Sequence, residues 1–357
     1  MFNKKLRKLA LEALKSNFMQ LKTPYKLNFA VTYKCQSRCS TCNIWKMKPI
    51  GELSLDDIVK FSEANTYFKW VELTGGEPFL REDIDKIAAA FAKNCKDLYV
   101  LTIPTNSLCD HAYVENKLKN ILELDIPRVF ITLSLDGYRE LHDKIRGVPG
   151  NYDKVIDMYK ILQELKKSHK NLSFIFGYTI SRLNEGQLDE TIKQTQKILP
   201  GLKYNDFHIN LAQVSGNYYN NVDNSEEILV NDPIVIEDIK KFYKNKIKEF
   251  SVDPAIMIDN AFTRKLIYYA ATGKSPMKSR SAETSIFVDS YGNVFPSIMW
   301  NYKLGNIKDY SFDLKKILEN EHTKEALELQ KKGKAPDQWT ACEAYQSLVG
   351  DAKRIIL

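Results

Sequence analysis

Six apolar, strand-like runs alternate with helix-like stretches over the first 215 residues, and nothing else in the sequence limits the fold as much. The runs are Leu27–Tyr33, Trp70–Thr74, Tyr99–Thr105, Val129–Leu135, Leu172–Ser181 and Phe207–Leu211. Between them the helical pattern covers Leu55–Ala64, Asp83–Lys93, Tyr113–Leu124, Tyr152–Lys167 and Glu185–Ile198. Strands that alternate with helices build a parallel sheet, open or partly closed into a barrel. Chemistry in such folds collects at the carboxyl ends of the strands.

The alternation stops after Ser215. A stretch rich in Asn, Tyr and Asp, Gly216–Asp232, reads as a long loop, followed by helical segments at Ile234–Phe250 and Asn260–Ala271. The sequence SIFVDSYGNVFPSIMW then signals a β-hairpin turning at Tyr-Gly-Asn, and Phe312–Lys332 reads as one charged helix. The expected organisation is an N-terminal amphipathic helix (1–24), a catalytic barrel (25–215), a helical linker (216–278) and a small α/β appendage (279–357).

The 357 residues are 44% hydrophobic and 27% charged, the composition of an ordinary soluble globular protein. No apolar run approaches the roughly 20 residues that span a bilayer, and the first residues lack the pattern of a signal peptide. A cytoplasmic location is expected, where thiols stay reduced. The net charge of +7 reads as a lysine-rich surface, and without an RNA-binding aromatic motif or zinc-finger spacing no nucleic acid is expected.

Against that background the segment TYKCQSRCSTCNIWKM places Cys35, Cys39 and Cys42 just after the first strand. A structural zinc site needs four ligands, and no nearby Cys or His pair completes this set. Three thiolates on one loop suit a [4Fe–4S] cube in which one iron keeps an open position. At the end of the second strand stands LTGGEP, Leu73–Pro78, where two residues without a Cβ let the backbone approach a neighbour closely.

The Cys-x3-Cys-x2-Cys spacing, followed about thirty residues later by GGEP, resembles the radical S-adenosylmethionine (radical SAM) superfamily from about Lys26 to Ser215. The resemblance implies an α/β fold: a partial (β/α)6 TIM-like barrel with a small α/β twitch-like C-terminal appendage. It implies one oxygen-sensitive [4Fe–4S] cluster on Cys35, Cys39 and Cys42, whose open iron chelates SAM. One electron then cleaves the sulfonium to a 5′-deoxyadenosyl radical, which abstracts hydrogen from a substrate or adds to it. A flavodoxin or ferredoxin is the implied electron donor.

The same resemblance assigns further residues to SAM. Gly75, Gly76, Glu77 and Pro78 would hold its amino group, and Asn106 ends the third strand. Ser134 and Asp136 in SLDG suit the ribose, Arg146 the carboxylate, and Thr179 and Ser181 the adenine side. For Arg146 a salt bridge at a helix end weighs equally. Family members usually carry an aromatic residue before the third cysteine; here it is Thr41, with Trp45 or Tyr33 as substitutes. His208 and Asn210 share one face of the sixth strand and read either as cofactor or substrate contacts or as a satisfied polar pair. Tyr218 and Tyr219 read as a lid or a loop anchor, and Cys95 and Cys109 as buried thiols.

The hairpin, the LGN of Leu304–Asn306 and the closing WTACEAY resemble the twitch or SPASM appendage of this superfamily, which carries auxiliary clusters. The ligand positions here hold Arg280, Ser297, Ala335 and Gln338, and Cys342 alone remains. The appendage is therefore expected to be metal-free, held by Phe287, Val294, Phe295, Trp300 and Trp339, with Arg280 or Gln338 facing an anionic substrate. Without a visible auxiliary cluster or cobalamin domain, redox-neutral or reductive chemistry is favoured. The alternative is a non-catalytic Fe–S or SAM-binding relic. The N-terminal segment, with Leu6, Leu9, Ala10, Leu14 and Phe18 near one face, is expected to pack across the barrel, peripheral membrane contact being the lesser reading.

Overall fold

The computed structural model describes residues 4–225 and 231–350. One nine-stranded sheet runs through it in the order β6-β5-β4-β3-β2-β1-β7-β8-β9. The six expected strands are β1 (Lys26–Thr32), β2 (Trp70–Gly75), β3 (Val100–Thr105), β4 (Arg128–Ser134), β5 (Leu172–Ile180) and β6 (Phe207–Leu211), each parallel to its neighbour. Helices α2 (Leu55–Ala64), α3 (Ile84–Asn94), α4 (His111–Leu122), α5 (Glu140–Arg146), α6 (Asn151–Ser168) and α7 (Leu188–Ile198) connect them. The helix α5, about two turns long and set after SLDG, is the only connecting helix in this part that the apolar periodicity does not show.

The side chains sort as a barrel requires. Successive strand residues point to opposite faces, and Val129, Ile131 and Leu133 of β4 are fully buried against the helices. Their neighbours Phe130, Thr132 and Ser134 face the interior and are only half-buried, as are Thr102 and Pro104 of β3. In β1 both faces are buried. The barrel interior is thus open along β3–β5 and filled along β1.

What fills it comes from beyond residue 215. Helices α8 (Pro233–Lys248) and α9 (Pro254–Thr272) follow β6; α9 starts six residues before the expected Asn260, because Pro254 opens it and Asp253 caps the Ala255 amide. The hairpin forms as β7 (Ser285–Val288) and β8 (Asn293–Phe295), and β9 (Gly305–Asn306) adds a third strand. β7 pairs in parallel with β1, Lys26 opposite Ser285, so the appendage continues the barrel sheet. The single helix expected at 312–332 is two, α10 (Leu314–Leu318) and α11 (Glu321–Lys331). Asn320 breaks it by capping Thr323 and donating to Leu304 O at 2.8 Å.

WTACEAY leads into α12 (Ala341–Gly350), which enters the barrel interior. Fully buried Lys26 donates to Cys342 O at 2.7 Å and lies 3.6 Å from Glu72. Glu343 accepts from Asn28 at 3.1 Å and from Ser285 at 2.6 Å. Strands β1, β2 and β7 are therefore tied to the C-terminal helix by buried polar contacts. Removing Arg280–Leu357 would strip β1 of a strand neighbour and leave Lys26 buried beside β2 without α12, so cluster assembly is not expected to survive that truncation. Helix α1 (Lys4–Lys15) crosses the opposite, amino-terminal end of the strands. Ala13 is its buried contact, whereas Leu14 and Phe18, expected on the packed face, are exposed.

Candidate active site

The three cysteines follow β1 on a loop held from four sides. Gly76 N–H donates to Thr32 O and Glu77 N–H to Lys34 O, each at 2.8 Å, joining the exits of β1 and β2. The end of α5 adds two contacts, Arg38 N–H to Arg146 O and Ser40 N–H to Ile145 O. From the loop after β6, Tyr219 O accepts from Asn43 N–H at 2.9 Å, and Asn221 donates to Thr41 O. From the end of β3, Asn106 Nδ2 donates to Ser37 Oγ at 2.9 Å and reaches Cys35 Sγ at 3.8 Å.

This packing gives the GGEP glycines their first physical reason. Gly75 has φ +125°, and a Cβ there would stand 2.1 Å from Thr32 O. A Cβ on Gly76 would stand 2.2 Å from Lys34 O and 3.0 Å from the Cβ of Cys35. A side chain at Gly76 would therefore strike the cysteine loop itself. Pro78 opens a short 3-10 turn, and the Glu77 carboxylate accepts from Asn106 N–H at 2.7 Å, Thr105 Oγ1 at 3.0 Å and Phe79 N–H at 3.2 Å. Burial raises this carboxyl to about 7 against those three donors. Glu77 therefore ties β2 to β3.

Arg146, its side chain 15% exposed, stands between an acid and a thiol. It pairs with Asp136 at 2.7 Å and reaches Cys39 Sγ at 3.8 Å, while its Nε is buried without a partner. The Asp136 carboxylate, expected on a ribose, is taken up by Arg146 and by Thr179 N–H at 2.9 Å. His142, which the sequence reading passed over inside HDKIRG, accepts from Asp136 N–H at 3.0 Å and donates from Nε2 to Asn151. Burial holds it near 3, hence neutral. Only its position six residues after Asp136 hinted at such support.

Ser134 and Thr179 keep side-chain hydroxyls with no hydrogen bond among the described residues and stand on the half-buried interior face. Ser181 differs: it is fully buried in a turn with Asn184 and Leu183, so the expected cofactor contact is replaced by a loop role. His208 and Asn210 are also spoken for. His208 bonds Asp259 at 2.5 Å, Asn210 Nδ2 donates to His208 Nε2 at 2.8 Å, and Asn210 Oδ1 accepts from Ala341 N–H. Tyr345 at 2.5 Å and Lys246 complete the shell around Asp259. The polar-pair reading describes them, since this network ties β6 to α9 and α12.

Tyr218 is buried inside the barrel, its hydroxyl 2.7 Å from Thr74 Oγ1 and donating to Gly75 O at 3.2 Å. Tyr219 packs edge-on to it. Tyr33 packs on Tyr291, and Trp45 lies under Arg38 with its indole N–H buried and unpaired. Cys95 is buried in the helical layer; Cys109 accepts from Gln36 beside the cysteine loop. Cys342 donates to Glu72 inside the barrel.

Two appendage positions are corrected. Arg280 does not face the site; its guanidinium clamps Ser16 O and Asn17 at the amino-terminal end of the strands. Gln338 is buried between two serines, accepting from Ser297 at 3.1 Å and donating to Ser281 at 3.2 Å. The appendage meets the cysteine loop instead through Phe295, Ile298 and Met299, which pack with Tyr33, Ile44 and Tyr218.

The donor set fits an iron–sulfur cube. Among the described residues no three His, Cys, Asp or Glu side chains converge on a single metal ion. Thiolates on one ion stand about 4 Å apart, whereas a cube takes each thiolate on a different iron. Burial pushes Cys35 up to about 11 and Cys42 to about 12, and each thiol is raised further by its neighbours in the trio. Such thiols lose their protons only to a cation that replaces them. The unpaired Arg146 Nε beside Cys39 is a donor awaiting an acceptor.

Residues 29–195 match the Radical SAM superfamily. The chain is 27% identical over 179 residues to a GTP 3′,8-cyclase of Listeria welshimeri, covering 48% of this chain and 50% of that protein. It is 28% identical over 136 residues to the Fe-coproporphyrin III synthase of Methanosarcina barkeri, covering 35% of this chain and 31% of that one. The chain thus spans half or less of these curated relatives. Its fold is that of native anSMEcpe with bound AdoMet, with a TM-score of 0.60 at 17% identity over 93% of this chain and 98% of that one. Streptococcus suis SuiB bound to S-adenosylmethionine superposes at 0.58, with 15% identity over 88% of this chain and 69% of that one. The match covers the segment that carries the three-cysteine loop, and it is this segment that is similar to the radical SAM superfamily.

Proposed function

We propose that this chain is a radical SAM enzyme that works with one [4Fe–4S] cluster, held by Cys35, Cys39 and Cys42, on a substrate admitted along the open β3–β5 side of the barrel. When bound, cluster and SAM supply a one-electron reductive cleavage that delivers a 5′-deoxyadenosyl radical. The observation that carries this reading is the pairing of one buried and two half-buried thiols with the unpaired Arg146 Nε, beside an interior that is open along β3–β5.

The protein's own groups divide the work. Arg146 and Asn106 point N–H groups at the cysteine sulfurs, which favours the thiolate over the thiol. Asp136 holds Arg146 in place, and His142 holds the Asp136 backbone. The free hydroxyls of Ser134 and Thr179 are the groups available to a ribose. Tyr218, Phe287 and Met299 close the β1 side with apolar surface, which keeps water from a reactive species. A flavodoxin- or ferredoxin-type donor supplies the electron, and a cytoplasmic setting keeps the thiols reduced.

The test is anaerobic reconstitution, reduction and measurement of 5′-deoxyadenosine. Slow release of 5′-deoxyadenosine and methionine without substrate is expected. Protein that holds its cluster and binds SAM, yet yields none even with cell extract, would leave the non-catalytic binding protein as the reading.

A further inference from the structure

The catalytic end of the barrel uses nothing of the opposite end, where the amino termini of the strands lie. Helix α1 crosses that end. Lys5 reaches Asp125 ahead of β4 at 2.8 Å, Lys8 reaches Asp97 ahead of β3 at 2.6 Å, and Arg280, ahead of β7, holds Ser16 O. One side of α1 serves this docking, with Ala13 buried and Leu6, Leu9 and Ala10 half-buried.

The other side is apolar as well. Leu11 and Leu14 are exposed and continue into Phe18 and Met19, 87% and 62% exposed. A helix that packs on one side and meets water on the other should carry polar groups outward. Leu11 and Leu14 stand outward instead, and Phe18 follows in the turn after the helix.

A second segment at the same end repeats the pattern. Glu249 accepts from the Tyr204 and Asn205 amides ahead of β6, and Asp253 pairs with Arg128, the first residue of β4. Around these anchors Ile247 and Met257 are exposed, with Phe250 at 90% and Val252 at 76%.

The charges beside both patches are one-sided. The carboxylates are spent: Glu12 on Lys15, Asp97 on Lys8, Asp125 on Lys5, Glu249 on backbone amides and Asp253 on Arg128. The exposed cations Lys4, Arg7, Lys22, Lys244 and Lys248 have no ion-pair partner among the described residues. Phenylalanines standing in water amid unspent cations match one partner chemistry, a surface with anionic headgroups above an apolar layer. A second copy of this chain fits poorly, because a two-fold contact would set these cations against themselves.

We propose that this end of the barrel docks the protein on the surface of an anionic lipid bilayer, with the cysteine loop turned away from it. Sedimentation with vesicles tests this on the full chain. Wild type should pellet with vesicles of phosphatidylcholine and phosphatidylglycerol, pellet far less with phosphatidylcholine alone, and release as salt rises. The double variant Phe18→Ser, Phe250→Ser should lose at least about tenfold in partitioning, with circular dichroism unchanged because neither side chain packs on the barrel. Arg7→Glu with Lys248→Glu should weaken binding to the anionic vesicles alone. No vesicle binding by wild type overturns the proposal, as does equal binding by the Phe18, Phe250 double variant. A dimer in solution that this variant breaks, without vesicle binding, would assign the surface to a second copy instead.

Discussion

Two places in this chain resemble iron–sulfur sites in sequence, and their polar groups are arranged in opposite ways. On the loop after β1, thiols meet a donor that nothing satisfies: Arg146 Nε is buried without a partner, while Asn106 and Arg146, held by Ser37 and Asp136, reach Cys35 and Cys39 only at 3.8 Å. In the appendage, two of the positions that resemble cluster ligands, Ser297 and Gln338, have closed on one another. Ser297 donates to Gln338, Gln338 donates to Ser281, and Ser281 lies against Ser279 and Glu343. Buried polar groups left open in a native fold call for an explanation, and groups joined into a network supply their own. The first region is built for a guest and the second for the fold.

The largest effect that can break this contrast is on metal content. Anaerobically reconstituted protein should hold about four irons per chain, the content of one cube. The triple change Cys35→Ala, Cys39→Ala, Cys42→Ala should remove essentially all of it, and Cys342→Ala should remove none. Seven or eight irons per chain would show that the appendage carries a second cluster after all.

Next comes Gly76→Ala. Its Cβ would meet Lys34 O at 2.2 Å, a clash with backbone that no rotamer relieves. The cysteine loop has to move, so iron retention should fall severalfold and the protein should be destabilised by several kcal/mol, on the scale of overpacked or strained sites. Normal iron with weakened SAM binding would restore the simpler idea that this glycine makes room for the ligand.

How far the sequence discloses this arrangement depends on the range of the forces involved. The β1–β6 alternation and the helix α2 are local: period-two and period-3.6 patterning, with Ser54 and Asp57 forming a reciprocal cap on α2. The cysteine loop is legible for the same reason, three ligands within eight residues. What the sequence conceals is where distant polar groups meet. Nothing local says that Arg280 reaches back 264 residues to Ser16, or that Glu343 joins Asn28 and Ser285 inside the barrel. Helix α12 stayed hidden because its ten residues carry buried Glu343, Gln346 and Ser347 where an amphipathic reading looks for apolar ones.

Glu343 gives the contrast a pH dependence. Burial raises its carboxyl from 4.5 to about 7 in the folded protein. A raised carboxyl favours folding while protonated, so that contribution is complete below the unfolded value and is lost as pH climbs through 7. Glu343→Gln copies the protonated acid at every pH. At pH 8 the variant should unfold later than wild type by up to about 3 kcal/mol, and near pH 5 the two should nearly coincide. Denaturant titrations at the two pH values measure this, and a variant less stable than wild type at pH 8 would mean that Lys26 keeps Glu343 ionised.

The smallest effect is at Gln338, where the closed network makes its sharpest claim. Gln338→Ala deletes the acceptor for Ser297 and the donor to Ser281, both fully buried. Ser297 Oγ still accepts from Met299 N–H at 3.2 Å, and Ser281 keeps Ser279 at 3.0 Å, so neither hydroxyl is left wholly alone. The expected loss is therefore about 1–3 kcal/mol of stability, the range for unpairing a buried polar partner. Iron content and SAM affinity should not move, because Gln338 touches neither the cysteine loop nor the open β3–β5 face. A stable Gln338→Ala protein with altered SAM cleavage would place that glutamine back at the catalytic end, and the division between a site kept for a guest and a site closed on itself would fail there.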